Sequence, residues 1–215
     1  MRRSKEGFTL LEVLLSLALA ALLLVALNTF IFSMGELWGK NSERRLFDQH
    51  VNAVGRFLTE ELREATLPPS ARASATPVSV QEITPANGAI ERLITFELPS
   101  GCRLLAWPDR PLPEVVCSLQ LREHAGLFLL WHSRLETRFD TDPPRETLLT
   151  PWASALAYDY YDTSLKRWTK EMALRNGTNN QPQVPQRLRL TFSYGKMARE
   201  IVIPLPLAQQ GLPNF

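Results

Sequence analysis

Apolar and polar positions change period twice along this 215-residue chain. From Leu10 to Phe32 nearly every position is apolar, and no charged residue stands between Glu12 and Glu36. That run exceeds the roughly 20 residues that span a bilayer, and its Leu- and Ala-rich composition favours helix. Next, Phe47, Val51, Val54, Leu58, Leu62 and Ala65 recur at spacings of 4, 3, 4, 4 and 3, the stripe of an amphipathic helix. Glu60, Glu61, Arg63 and Glu64 fall between them and are expected to be solvated. Gly35 and Gly39 mark the expected bend, and Pro68-Pro69 the expected end, because the first proline disfavours helical geometry at Leu67.

Further on the period becomes two. Residues 70–90 are small, polar and Pro-bearing, which predicts a loop with at most one short strand. Arg92–Leu98 reads RLITFEL and stops at Pro99-Ser100-Gly101. Val115–Arg122 and Leu127–Arg134 flank Glu123-His124-Ala125-Gly126, a hairpin with Gly at its turn. Ala155–Asp162 alternates Leu156, Tyr158 and Tyr160 on one face, and Arg187–Tyr194 and Glu200–Ile203 flank Gly195-Lys196 as a last hairpin. A helix followed by antiparallel strands predicts an α+β fold in which sheet covers the helix stripe.

Composition narrows the picture. Hydrophobic residues make up 45% of the chain and charged ones 21%, enough for a packed core. The net charge of +2 comes with no basic run interleaved with aromatics, which argues against a nucleic-acid partner. Sixteen prolines, all beyond residue 67, favour short strands and loops over a helical bundle. Cys102 and Cys117 stand fifteen apart with no CxxC. Outside the cytoplasm they are candidates for one disulfide; the alternative is two unpaired core thiols.

Catalytic patterns are missing: HExxH, GxSxG, a Walker loop and GxGxxG do not occur, and His50, His124 and His132 form no recognisable constellation. The chain is expected not to be an enzyme and to use no cofactor, metal or small-molecule substrate. Asp140, Asp142 and Glu146, and Asp159 and Asp162 with Asn176, Asn179 and Asn180, have oxygen ligands that calcium would accept, yet no EF-hand pattern. Solvated acidic loops are the expectation. Trp107, Trp152 and Trp168 would be hot-spot candidates of a binding module, and are more simply core or sheet-face aromatics.

Glu12 is the residue that hydropathy does not explain. A carboxylate at mid-bilayer costs roughly 2.5–3.5 kcal/mol, and less near the interface. A cleaved signal peptide would show a shorter apolar run and an A-x-A-like site. A plain anchor fits the hydropathy, but charge counting does not orient it: Arg2, Arg3 and Lys5 precede the span, and Lys40, Arg44 and Arg45 follow. As part of a plain anchor, Glu12 would merely favour the helix dipole by about 0.3–1 kcal/mol.

Lys5-Glu6-Gly7-Phe8-Thr9-Leu10-Leu11-Glu12-Val13 resembles the processing signal of type IV prepilins and type II secretion pseudopilins. The resemblance implies that prepilin peptidase cuts on the cytoplasmic side between Gly7 and Phe8 and N-methylates Phe8. It divides the chain into a leader (1–7), the transmembrane half of the N-terminal helix (8–35), its amphipathic second half (36–67) and an antiparallel β head (68–215). Thr9 and Glu12 become subunit-assembly residues, Glu12 pairing with the new Phe8 amine of a neighbour. Two unit charges about 4 Å apart attract by roughly 4 kcal/mol at an effective dielectric near 20, comparable with the burial cost.

Tyr158-Asp159-Tyr160-Tyr161-Asp162, then Trp168, then Pro185-Gln186-Arg187-Leu188-Arg189-Leu190-Thr191-Phe192 resembles the J-type minor pseudopilins of type II secretion, as does the hairpin Leu119–Arg134. Lys170–Gln183, a longer Asn-rich insertion, and residues 70–90 depart from that pattern. The resemblance implies a single-pass protein of the bacterial inner membrane with a periplasmic head. Its partners would be the major pseudopilin and the I- and K-type minor pseudopilins, at the tip of a filament that drives protein export. A minor pilin of a type IV pilus or competence pseudopilus is the near alternative, and a tip-displayed adhesin or cargo-binding subunit a third.

Overall fold

Leu- and Ala-rich sequence without Gly or Pro from Leu10 to Met34 has no reason to leave the helical state, and it does not. In the computed structural model, helix α1 spans Leu10–Glu64 and continues through Gly35 and Gly39 without interruption. The structure describes residues 9–65, 77–86, 88–105, 112–177 and 182–206, without the side chains of 36–41. The prolines expected to stop the helix, Pro68-Pro69, lie outside the described residues.

The chain forms two compact units, Met1–Gln49 and His50–Phe215. In the first, Leu10–Gly35 is a 26-residue stretch long and apolar enough to cross a membrane, and none of it is buried by the chain itself. At about 1.5 Å per residue it is about 39 Å long, against a hydrocarbon core of about 30 Å. Its hydroxyls are satisfied within the helix: Ser16 donates to the Val13 carbonyl (2.9 Å), Thr29 to Val25 (2.9 Å) and Ser33 to Thr29 (2.8 Å). The helix therefore presents no bare hydroxyl donor at these positions.

Among the described residues of the second unit, nine strands form two antiparallel sheets. The first is ordered β1 (Val78–Ile83), β2 (Glu91–Leu98), β3 (Val115–Arg122), β4 (Gly126–Ser133), β5 (Arg145–Thr150), and the second is ordered β7 (Arg167–Glu171), β6 (Ala153–Asp162), β8 (Arg187–Tyr194), β9 (Met197–Pro204). The expected hairpins β3–β4 and β8–β9 form, and the short strand of residues 70–90 is β1. Gly126 (φ +101°) permits the first hairpin, because a side chain there would meet the Thr150 carbonyl oxygen at 2.2 Å.

Strands β5 and β7 carry weak sequence signals because both are edges. RETLLT and RWTKE have charged ends and no clean alternation, as edge strands that must resist further pairing do. Glu146, expected in a solvated acidic loop, belongs instead to β5, bound to Arg122 of β3 by bonds of 2.7 and 2.5 Å. Of the insertion 170–183, Lys170 and Glu171 belong to β7, and Gln183 N donates to the Arg175 carbonyl (2.8 Å).

Register explains the core. On one face of the first sheet, Ile94, Leu119 and Leu129 form one row and Phe96, Cys117 and Trp131 the next, all buried. The opposite face is the more polar one: Thr95 and Ser118 pair at 2.8 Å and His132 bonds to the Pro143 carbonyl at 2.9 Å, with Leu93 and Leu130 buried among them. In the second sheet Leu156 pairs with Leu190 and Tyr158 with Leu188, again all buried. The helix stripe Val51, Val54, Leu58, Leu62 and Ala65 is buried in the same unit. His50 reaches Thr150, and Gly55 lies under Ile201 of β9.

One expectation for the helix fails. Glu61 is only partly solvated: its Oε2 is buried and, among the described residues, is the one buried side-chain polar atom without a partner. The cause is helical geometry, since Glu61 lies three residues after Leu58 and four before Ala65, on the flank of the buried stripe.

Candidate functional site at the start of the helix

A helix has four N–H groups at its start with no partner in the helix, and in lipid no water replaces the missing bonds. Here Thr9 is the N-cap and Glu12 stands three residues on. The Glu12 Oε2 accepts from the Thr9 backbone N–H (3.2 Å) and from its hydroxyl (3.3 Å). In return the Glu12 N–H donates to Thr9 Oγ1 (3.3 Å) and to the Thr9 carbonyl (3.0 Å). This is a reciprocal capping box. The sequence signal was present in T-x-x-E before an apolar run, and reasoning from charge alone passed over it.

The arrangement gives the carboxylate a local task besides any pairing between subunits. Both bonds that it accepts end on Oε2, so Oε1 takes no part in the cap. Gly7 and Phe8, the expected processing residues, lie outside the described residues.

The other sequence candidates are dispersed through the head. His50 Nε2 meets Thr150 Oγ1 at 2.8 Å and its ring packs edge-on against Trp152, with centroids 4.4 Å apart; burial lowers its pKa. His124 is exposed in the β3–β4 turn, and His132 sits on the polar sheet face. Asp159 is buried against Arg189, Asp162 caps its turn by accepting from Ser164 N (2.9 Å), and Asn176 accepts from Arg92 (2.9 Å). Asn179 and Asn180 lie outside the described residues. Among the described residues no three His, Cys, Asp or Glu side chains converge as metal ligands.

Trp152, in the turn between β5 and β6, packs between His50 and Tyr194, and Trp168 of β7 lies between Tyr161 and the Arg187 guanidinium, so both have partners within the head. Trp107 lies outside the described residues. A cleft of about 650 Å³ opens on the polar sheet face, lined by Ser118, Leu130, His132, Phe139 and Pro143 among others. Its Ser118 and His132 are already bonded within the chain.

Cys102 and Cys117 are both buried and free. Burial pushes both thiols upward in pKa, Cys117 well above the ordinary value.

Residues 2–28 match the prokaryotic N-terminal methylation motif. Comparison with curated proteins and with solved structures finds no match. The motif supports a type IV pilin-like or pseudopilin chain, processed by prepilin peptidase and assembled into a pilus or pseudopilus. Members with this motif are structural subunits and not enzymes, and motif and apolar helix together suggest membrane anchoring.

Proposed function

We propose, on the premise that the N-terminal motif marks a pilin-like subunit, that this chain is a minor pseudopilin of a type II secretion pseudopilus, nearest to the J type. The observation that carries this reading is an apolar helix of 26 residues that its own chain leaves wholly unburied, opening on Thr9 and Glu12 inside the matched motif. Such a surface is satisfied first by lipid and then by other helices of the same kind.

In this reading prepilin peptidase cleaves between Gly7 and Phe8 and methylates the Phe8 amine. The cationic amine of one subunit then meets Glu12 of the next. Because the cap uses Oε2, Oε1 can take the neighbour's amine while Thr9 keeps the carboxylate aimed and the first turn closed. Thr9 is thus a positioning residue and Glu12 the pairing residue. The chain would sit once across the inner membrane with its head in the periplasm, at the filament tip beside the I- and K-type minor pseudopilins, to initiate or cap the filament during export. The Tyr158–Asp162 strand, Trp168 and the strand from Arg187 support the J assignment by resemblance.

Co-expression with a prepilin peptidase tests the processing. The expected product lacks residues 1–7 and carries one methyl group on Phe8 by mass spectrometry, and an unprocessed chain overturns the reading. Deleting the gene tests the system. Lost export with intact surface attachment supports the pseudopilin, whereas lost pili, lost DNA uptake or lost attachment with intact export identifies a minor pilin, a competence pseudopilin or an adhesin.

A further inference from the structure

Strand β2 ends at Leu98, paired with Val115, and the chain turns at once, Gly101 N donating to the Leu98 carbonyl at 3.1 Å. Gly101 has φ +67°, and a side chain there would meet the Leu112 carbonyl oxygen at 1.9 Å. Only glycine lets the chain reverse this tightly, and the reversal delivers Cys102 into the interior, 4% exposed. A second turn follows, Leu105 N donating to the Cys102 carbonyl at 3.0 Å, with Leu105 fully buried. Cys117, two residues into β3 from Val115, is fully buried in the row of Phe96 and Trp131. The two cysteines are thus tucked into the core at the same end of the β2–β3 pair, and they interact electrostatically with each other and with Glu61.

We propose that Cys102 and Cys117 form an intramolecular disulfide that ties the turn after β2 to strand β3, beneath the end of the helix. It rests on the extracytoplasmic head of the preceding section, where oxidised thiols persist. With both thiols reduced, three weakly acidic groups are crowded together, two of them buried thiols, and Glu61 already has an unpartnered buried oxygen there. Oxidation removes two of the three.

The exchange is completed before β3 is buried, while the thiols can still ionise. The Cys102 thiolate attacks the disulfide of an external oxidant, either oxidised glutathione or a disulfide-carrying oxidoreductase, and displaces one thiolate. The Cys117 thiolate then attacks the Cys102 sulfur of the mixed disulfide and displaces the second. Two protein thiols give up two electrons and two protons, and the oxidant leaves as two thiols.

The full-length chain in detergent, opened in urea and returned to native buffer with oxidised and reduced glutathione, gives the test. After denaturation, alkylation followed by mass spectrometry should label neither cysteine without reductant and both with it. In Cys117→Ser, Cys102 should be recovered as a free thiol or a glutathione adduct. Two labelled thiols in the unreduced native chain, or a glutathione on each, overturn the proposal. A reporter fused to the head reads its side of the membrane separately. A cytoplasmic head would defeat the functional reading and leave the disulfide to be judged by the thiol count.

Discussion

Arg189 grips Asp159 with two bonds, Nε to Oδ1 at 3.1 Å and Nη2 to Oδ2 at 2.7 Å, and the Asp159 side chain is 1% exposed. The register places them diagonally on neighbouring strands, Ala157 opposite Arg189 and Asp159 opposite Arg187. Arg189 also binds Glu200 of β9, which holds Lys170 of β7 at 3.0 Å, so one guanidinium links all four strands of the second sheet. Removing one partner of a buried pair leaves the other uncompensated, at about 3–5 kcal/mol. Arg189→Ala should therefore lower the urea midpoint steeply, whereas Asp159→Leu combined with Arg189→Leu should recover much of the loss. A single variant as stable as the parent would show that the pair is idle.

Glu61 should make stability depend on pH in a sense opposite to that of a paired carboxylate. Burial, then repulsion by Glu64 and Glu60, raises its pKa from an ordinary 4.5 to about 7. Between those values the folded chain binds more protons than the unfolded one, so stability falls as pH rises from about 4.5 to about 7 and levels off above. Glu61 is partly exposed, and solvent damps the effect. Glu61→Gln should remove that slope in unfolding curves measured across the window; an unchanged slope would assign it elsewhere. His50, lowered by burial, acts in the other sense and loses stability as pH falls through 6.5, so its His50→Gln variant serves as the control.

The capping box predicts that Thr9→Val weakens the helix start by about 1 kcal/mol while Thr9→Ser does not. Amide exchange of Glu12 and Val13 in detergent should quicken in the valine variant alone. Assembly should suffer in the same order if aiming the carboxylate matters, and Glu12→Leu should insert into the membrane but fail to join filaments. Equal exchange in all three Thr9 forms would refute the cap.

Gly126→Ala should cost about 1–3 kcal/mol, because the alanine would have to hold a positive φ and would press on the Thr150 carbonyl. Thermal unfolding of the two chains measures it directly.

Local rules were enough for much of the fold. The helix stripe, the hairpins around Gly126 and Gly195 and the strand at Arg187 follow from periodicity and turn chemistry, which act over a few residues. Strands β5 and β7 were hidden because an edge strand has one neighbour and must look polar to solvent. Asp140, Asp142 and Glu146 read as one acidic group, yet Glu146 is claimed by Arg122, twenty-four residues away in sequence.

The N-terminal methylation motif over residues 2–28 and the long apolar run were legible in sequence alone, since each is read from a linear stretch and needs no folded partner. Division of the strands into two sheets, the burial of the Glu61 carboxylate oxygen, and the placing of Cys102 near Cys117 belong to the tertiary structure. Each depends on which distant backbone arrives beside a side chain and excludes water from it. No pattern along the chain encodes that.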